Sequence, residues 1–379
     1  MQHGVVPMKF LILSTATGQG HNSAALAVAE SLESRGCRAK VLDVLKLKDE
    51  AVSKRVSRLY AGVTIHAPRF FHGLYRIGER VSSPCGRSPI FRLNTLYSGE
   101  LYGEICRFQP DVIVCTHIFS AQAVTWLRER YGVTAPAVGI ATDYTCIPFW
   151  EESTLDGYVI PSSALADEFA EKGIPANRLV PIGIPIRPQF LKHASKEEAR
   201  RSFGLTAAHI FLVMGGSMGY GNIDGIAEAL SSAVPASQVV VLCGSNEKLL
   251  HKMEQFRNVV PMRYTGRVCS LMDAADVVLT KPGGLTSTEA IAKRVPTVLT
   301  HPIPGCEERN AEFLSSSGAA AFSDGTQSAV LSARRLALSE CAALEMKRAQ
   351  ERFRPDGTDG RIADYLIALG NRSGGRLSG

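Results

Sequence analysis

The apolar run Val277-Val278-Leu279 leads through Thr280 and Lys281 directly into Pro282-Gly283-Gly284, and a helix-forming segment opens near Leu285. A strand joined to a helix by so short a turn belongs to a parallel sheet whose crossovers lie on its faces. Glycine at such a turn lets the backbone approach a ligand closely, and the N–H groups at the helix start favour an anion. Glu289 follows one turn inside that helix. A second run, Thr297-Val298-Leu299, then enters another Pro/Gly-rich turn carrying Cys306, Glu307 and Asn310. Two such turns at the ends of neighbouring strands describe a pocket at the carboxyl edge of a parallel sheet.

The rest of the chain repeats this alternation. Residues 8–14 read as a strand, the turn Gly18-Gln19-Gly20-His21 follows, and helical spacing runs from about Asn22 to Ser34. Ala39 to Val44 completes a βαβ opening. Asp111 to Cys115, Ala137 to Ala141 and Gly157 to Ile160 are further strands, each followed by a turn or helix. Ile184-Pro185-Ile186-Arg187-Pro188 is stiffened by proline and reads as an interdomain link. Beyond it the strand Ile210 to Met214 precedes Gly216-Ser217, and Gln238 to Leu242 precedes Gly244 and Asn246. A short strand ends at Gly266-Arg267-Val268. The expected division is 1–190, 191–355 and a C-terminal helix with a mobile tail, 356–379, the helix returning to the first domain.

A chain of 379 residues exceeds the usual size of one core. No run of about 18 apolar residues is present, so no spanning helix is expected. The first residues lack a signal-peptide pattern, so a cytoplasmic protein is expected. Nine scattered cysteines form no C-x-x-C pair, which argues against a disulfide framework or a zinc site. The net charge of +6 is too small to indicate nucleic acid as a partner.

Residues 46–108 differ in character. Between Lys54 and Arg107 there are nine Lys/Arg and three Asp/Glu, interleaved with aromatics such as Phe70 and Phe71. Arg76 and Arg80 lie in the same stretch. This mixture suits an anionic membrane surface, to which the protein would bind peripherally. A solvated helical face with core aromatics has the same composition, and nothing in it matches a nucleic-acid-binding module.

Gly18 and Gly20 nearly match a dinucleotide fingerprint, with Asp43 at about the right distance, but the third glycine is replaced by Ser23. His21 stands at a helix start, where the positive dipole end disfavours imidazolium. A neutral imidazole there is a suitable general base for a hydroxyl. Asp143 follows a buried strand and can orient His21 or take the proton itself. Phe149 and Trp150, a few residues on, can line a lipid-binding surface.

Several of these motifs resemble glycosyltransferase family 28. Lys281 to Thr286, Glu289-Ala290 and Pro304 to Asn310 are similar to its nucleotide-sugar signature. The branch most like this chain contains the monogalactosyldiacylglycerol synthases and processive diacylglycerol glucosyltransferases. Gly18 to His21 resembles the family's Gly-x-Gly-His motif, and Thr142-Asp143 through Trp150 its Thr-Asp motif. The resemblance implies an α/β GT-B fold, two Rossmann-like domains facing across a cleft. It implies that Gly266, Arg267 and Val268 hold uracil, and that Gly283, Gly284, Leu285 and Thr286, after Pro282, meet the diphosphate. Glu289 would bind the ribose, and Glu307 and Asn310 would face the sugar; Gly216, Ser217, Gly244 and Asn246 join them as donor-side loops. Two positions depart from the family pattern. Cys306 replaces a common glutamine, and Ile147 stands where many relatives carry histidine.

The implied activity is inverting transfer of a hexose from UDP-glucose or UDP-galactose to a diacylglycerol-like lipid at the membrane surface. Gly20, Phe70, Phe71, Arg76, Arg80, Phe149 and Trp150 would form the acceptor and membrane side. No Asp-x-Asp pair ends a strand, so neither a metal nor another cofactor is expected, and helix N-termini would stabilise the diphosphate. The rivals are N-acetylglucosaminyl transfer to a peptidoglycan lipid precursor, a UDP-sugar epimerase of the same fold, and a sensor that binds without transferring.

Overall fold

Among the described residues every strand pair is parallel, and the strands divide into two separate sheets. The computed structural model describes residues 7–15, 19–47, 78, 87–215, 221–353 and 357–374. Gly216, Ser217, Phe70, Phe71, Arg76 and Arg80 lie outside these residues. Two compact units are present, Met1–Arg187 with Gly357–Gly379, and Pro188–Asp356.

In the first unit the strands are β1 (Lys9–Ser14), β2 (Arg38–Asp43), β3 (Val112–Cys115), β4 (Ala137–Ile140), β5 (Gly157–Val159) and β6 (Leu179–Val180). Their order is β2-β1-β3-β4-β5-β6. The direction of winding reverses between β1 and β3, and ligands bind at such a switch point in open α/β sheets. β1, β3 and β4 are apolar and almost fully buried, as expected where helices cover both faces. Phe10, Ile12, Val112 and Val114 pack against Val28 and Leu32 of helix α1 (Gln19–Glu33). That helix begins three residues before the expected Asn22, because first-turn residues need supply only carbonyls to it. His21 therefore lies inside the first turn. Helix α2 (Ile118–Tyr131) follows β3.

The second sheet contains β7 (Ile210–Met214), β8 (Gln238–Gly244), β9 (Val259–Arg263), β10 (Val277–Thr280), β11 (Thr297–Thr300) and β12 (Ala321–Ser323). Its order is β12-β11-β10-β7-β8-β9, with the switch point between β10 and β7. Helix α3 (Gly284–Ala292) leaves β10, and helix α4 (Cys306–Ser316) leaves β11. The loops carrying Gly244, Gly266 and Gly283 all leave the carboxyl edge of this sheet.

The last helix, α5 (Thr358–Gly374), belongs to the first unit. Its Ile362, Ala363 and Leu366 are fully buried in that unit's core. An Arg35–Asp364 ion pair and a hydrogen bond from Ser31 to the Asp359 carbonyl fix it beside α1. Among the described residues no helix is long and apolar enough to cross a membrane.

Candidate active site

At the switch point of the first sheet, the ends of β1, β3 and β4 enclose a small pocket lined by His21, Thr116, His117, Thr142, Asp143, Ile147 and Trp150 among others. His21 is held from two sides. Its Nδ1 lies 2.9 Å from the Thr116 carbonyl oxygen and 3.1 Å from the Thr142 hydroxyl. Ser14 ties the start of α1 to β1 by donating to Asn22 Oδ1 at 2.7 Å. A carbonyl can only accept, so Nδ1 carries the hydrogen and Nε2 keeps its lone pair.

The His117 ring meets that of His21 edge to face, with centroids 4.5 Å apart. His117 caps α2, its Nδ1 accepting the Phe119 N–H at 3.1 Å. Burial pushes the His21 imidazole below its ordinary value, against smaller upward pulls from the Asp143 carboxylate and the Thr116 carbonyl. Burial, and then the nearby His21, hold His117 well below its ordinary value. Both rings are neutral at pH 7.

Trp150 forms a wall of this pocket. It is 2% exposed, its ring packs against Tyr158, and a Cβ on Gly139 would come within 2.7 Å of it. That burial removes it from any membrane surface, contrary to the expectation for Trp150, and leaves it a role only inside the pocket. Phe149 is also buried and has φ of 79°. A Cβ on Gly78 would lie 3.1 Å from its ring. Asp43, the candidate ribose ligand of a dinucleotide site, instead accepts the Leu45 N–H at 3.0 Å.

In the second unit the Pro282-Gly283-Gly284 turn is braced from below. Asn310 is fully buried and donates to the Pro282 carbonyl at 3.0 Å. Glu307 is paired with Lys281, and its other oxygen accepts the Ile303 N–H at 2.9 Å. Gly283 has an ordinary φ of −71°, and a Cβ there would meet only Glu307 and Lys281 atoms at 3.7 Å. Neither backbone conformation nor packing requires glycine at this position. Gly266 is similar, with open space where its Cβ would be. The Thr280 and Ser287 hydroxyls beside the turn are buried without a partner among the described residues.

The amino-acid sequence matches two family descriptions. Monogalactosyldiacylglycerol (MGDG) synthase matches residues 21–186, and the glycosyltransferase family 28 C-terminal domain matches residues 210–355. The chain belongs to glycosyltransferase family 28. Among its relatives is a processive diacylglycerol beta-glucosyltransferase of Bacillus cereus strain G9842, 26% identical over 383 residues, covering 95% of this chain and 93% of that protein. Another, of Bacillus anthracis strain CDC 684, is 26% identical over 384 residues with the same coverage. The fold resembles MurG of Acinetobacter baumannii, with TM-score 0.61, 14% identity, and 96% and 100% of the two chains covered. It also resembles the calicheamicin glycosyltransferase CalG4, with TM-score 0.66, 17% identity, and 97% and 99% covered. These likenesses establish GT-B as the fold class of this glycosyltransferase.

Within the family 28 framework, the sequence-predicted residues fall into three groups. His21 and Asp143 share one pocket, but the Nδ1 contacts of His21 are Thr116 and Thr142, with Asp143 acting on it through charge. Gly266, Gly283, Gly284, Leu285 and Thr286 lie at strand-end turns and helix starts of the second sheet. Glu307, Asn310, Asn246 and Arg267 form the third group, each with an intramolecular partner. Asn246 Oδ1 accepts the Leu249 N–H at 3.0 Å as a helix cap. The Arg267 guanidinium stacks 4.2 Å over the Phe203 ring and donates to Ser202. Thr116, His117 and Thr142 were missed as candidates. Their one signal was a strand end carrying threonine followed by an ionisable residue, a pattern found at Thr116-His117, Thr142-Asp143, Thr280-Lys281 and Thr300-His301.

Proposed function

We propose that this family 28 enzyme transfers a hexose from a UDP-sugar to the hydroxyl of a diacylglycerol-like lipid, with inversion at the anomeric carbon. The observation that carries the reading is His21. Its Nδ1–H is committed to the Thr116 carbonyl, so its unprotonated Nε2 is the basic atom of a pocket in a chain matching diacylglycerol glucosyltransferases along almost its whole length. Nε2 takes the acceptor hydroxyl proton as the oxygen bonds to the anomeric carbon, and the bond to the UDP oxygen breaks with its electron pair. Asp143 supports the imidazolium that forms.

The second unit holds the donor. The first N–H groups of α3, at Gly284, Leu285 and Thr286, have no intrahelical acceptor and meet the diphosphate as charge develops on the leaving group. Glu289, in the second turn of α3, takes the ribose, and Gly266 to Val268 the uracil. No metal is needed in this scheme.

Acceptor lipids reside in a membrane, and the described part of the first unit has a surface suited to one. Leu93 and Leu96 are 61% and 60% exposed, beside Arg92, at the end of the basic-aromatic stretch. We assign them to peripheral docking on an anionic bilayer.

Radiolabelled UDP-glucose and UDP-galactose, offered in turn to the enzyme with diacylglycerol liposomes and with EDTA present, test the reading. Lipid-extractable label is expected from one of them. None from either sugar, with or without magnesium, would sink it. Label that appears only with magnesium would retain the transfer and overturn metal independence.

A further inference from the structure

Four non-glycine residues among those described have φ in the left-handed region: Gln109, Phe149, Arg294 and His301. Gln109 and Arg294 end helices, where that conformation is commonplace. Phe149 adjoins the His21 pocket. His301 is the one that no helix end explains in the second unit, with φ of 49° immediately after β11. Strained backbone away from helix ends collects at ligand sites, where surrounding structure enforces it.

The surroundings of His301 are specific. It leaves the carboxyl edge of the sheet on the strand next to β10, whose own exit is the Pro282-Gly283-Gly284 turn. Gly221 lies beside it, where an added Cβ would come within 3.6 Å of the His301 Cβ. The Thr300 hydroxyl holds Nδ1 at 2.9 Å, which fixes the ring and leaves Nε2 with no partner among the described residues. Meanwhile the side chains expected to face the sugar are occupied: Glu307 by Lys281 and the Ile303 N–H, Asn310 by the Pro282 carbonyl. Cys306 is a poor hydrogen-bonding substitute. The half-buried imidazole is held below its ordinary value by burial, despite Asp324, and a neutral ring suits an uncharged hydroxyl better than a phosphate.

We infer that His301 is a specificity residue that hydrogen-bonds a hydroxyl of the donor hexose through Nε2. This rests on the UDP-sugar reading of the second unit. It does not depend on lipid transfer.

Calorimetric titration of UDP and of UDP-glucose into the full-length protein separates the possibilities. His301→Gly removes the ring and suits the backbone, so its melting temperature is expected to rise. UDP should bind it as tightly as the wild type, while UDP-glucose binds about tenfold more weakly. His301→Asn tolerates the same backbone conformation and should recover part of that loss. Equal UDP-glucose affinity in wild type and His301→Gly would overturn the inference, as would a parallel loss of UDP affinity. A wild type that binds UDP-glucose but labels no lipid would refute the transferase reading and leave His301 standing. A wild type that binds neither nucleotide would refute both.

Discussion

The Nδ1 atom of His21 lies 2.9 Å from the carbonyl oxygen of Thr116, a contact spanning 95 residues of sequence. It sets the tautomer of the imidazole and so decides which nitrogen keeps its lone pair. His21→Ala should lower turnover by roughly 10²–10⁴-fold while UDP affinity, measured by titration, stays unchanged. Unaltered turnover would remove His21 from that role.

Asp143 acts on His21 through charge, favouring the protonated ring. Asp143→Asn removes that pull, so the imidazole loses its proton more readily. The acid limb of kcat/KM should move to lower pH, read from rate profiles of the two proteins. If Asp143 were itself the base, the variant would lose activity across the whole profile.

His21 and His117 both have values depressed by burial in the fold. The unfolded chain therefore binds more protons than the native one below the ordinary value of 6.5. Their contribution to stability is fully present above that pH and is lost as pH falls through the folded-state values. Denaturant midpoints should decline on acidification from about pH 6.5. His117→Asn, which can still cap α2, should flatten that decline. An unchanged slope would contradict the burial argument.

The Asn310–Pro282 hydrogen bond joins α4 to the turn before α3. Asn310→Ala should cost about 1–3 kcal/mol in chemical denaturation, since it orphans a buried carbonyl. It should also raise the donor KM by loosening the turn, and leave the pH limb of His21 in place. A stability loss without any KM change would show that the turn does not depend on this strut.

Leu93 and Leu96 expose apolar surface beside Arg92. Replacing both leucines with Asp should weaken sedimentation with anionic vesicles, most strongly at low salt, with little effect on the melting temperature. Equal vesicle binding would reassign this face to solvent.

The site was legible in the sequence where it depends on backbone. Strand–turn–helix periodicity located the Pro282-Gly283-Gly284 turn, the start of α1 and the strand end before Asp143, because hydrophobic patterning and turn chemistry are local. Side-chain roles were less legible. Glu307 and Asn310 have the hydrogen-bonding groups of sugar ligands, yet their partners are Lys281 and Pro282, 26 and 28 positions away. Trp150 looked like a surface anchor and is buried against Gly139 and Tyr158. His301 shares the strand-end Thr-His pair of Thr116-His117, but its left-handed φ is invisible in composition.

By itself, the sequence determined the alternation of strands and helices, the family, and the glycine turns at the strand ends. Each follows from periodicities and backbone preferences set within a few residues. Only the tertiary structure decided the tautomer of His21, its edge-to-face contact with His117, the structural use of Glu307 and Asn310, and the strained backbone of His301. Those depend on which strand ends the parallel sheet brings together, and on which polar groups find partners once water is excluded.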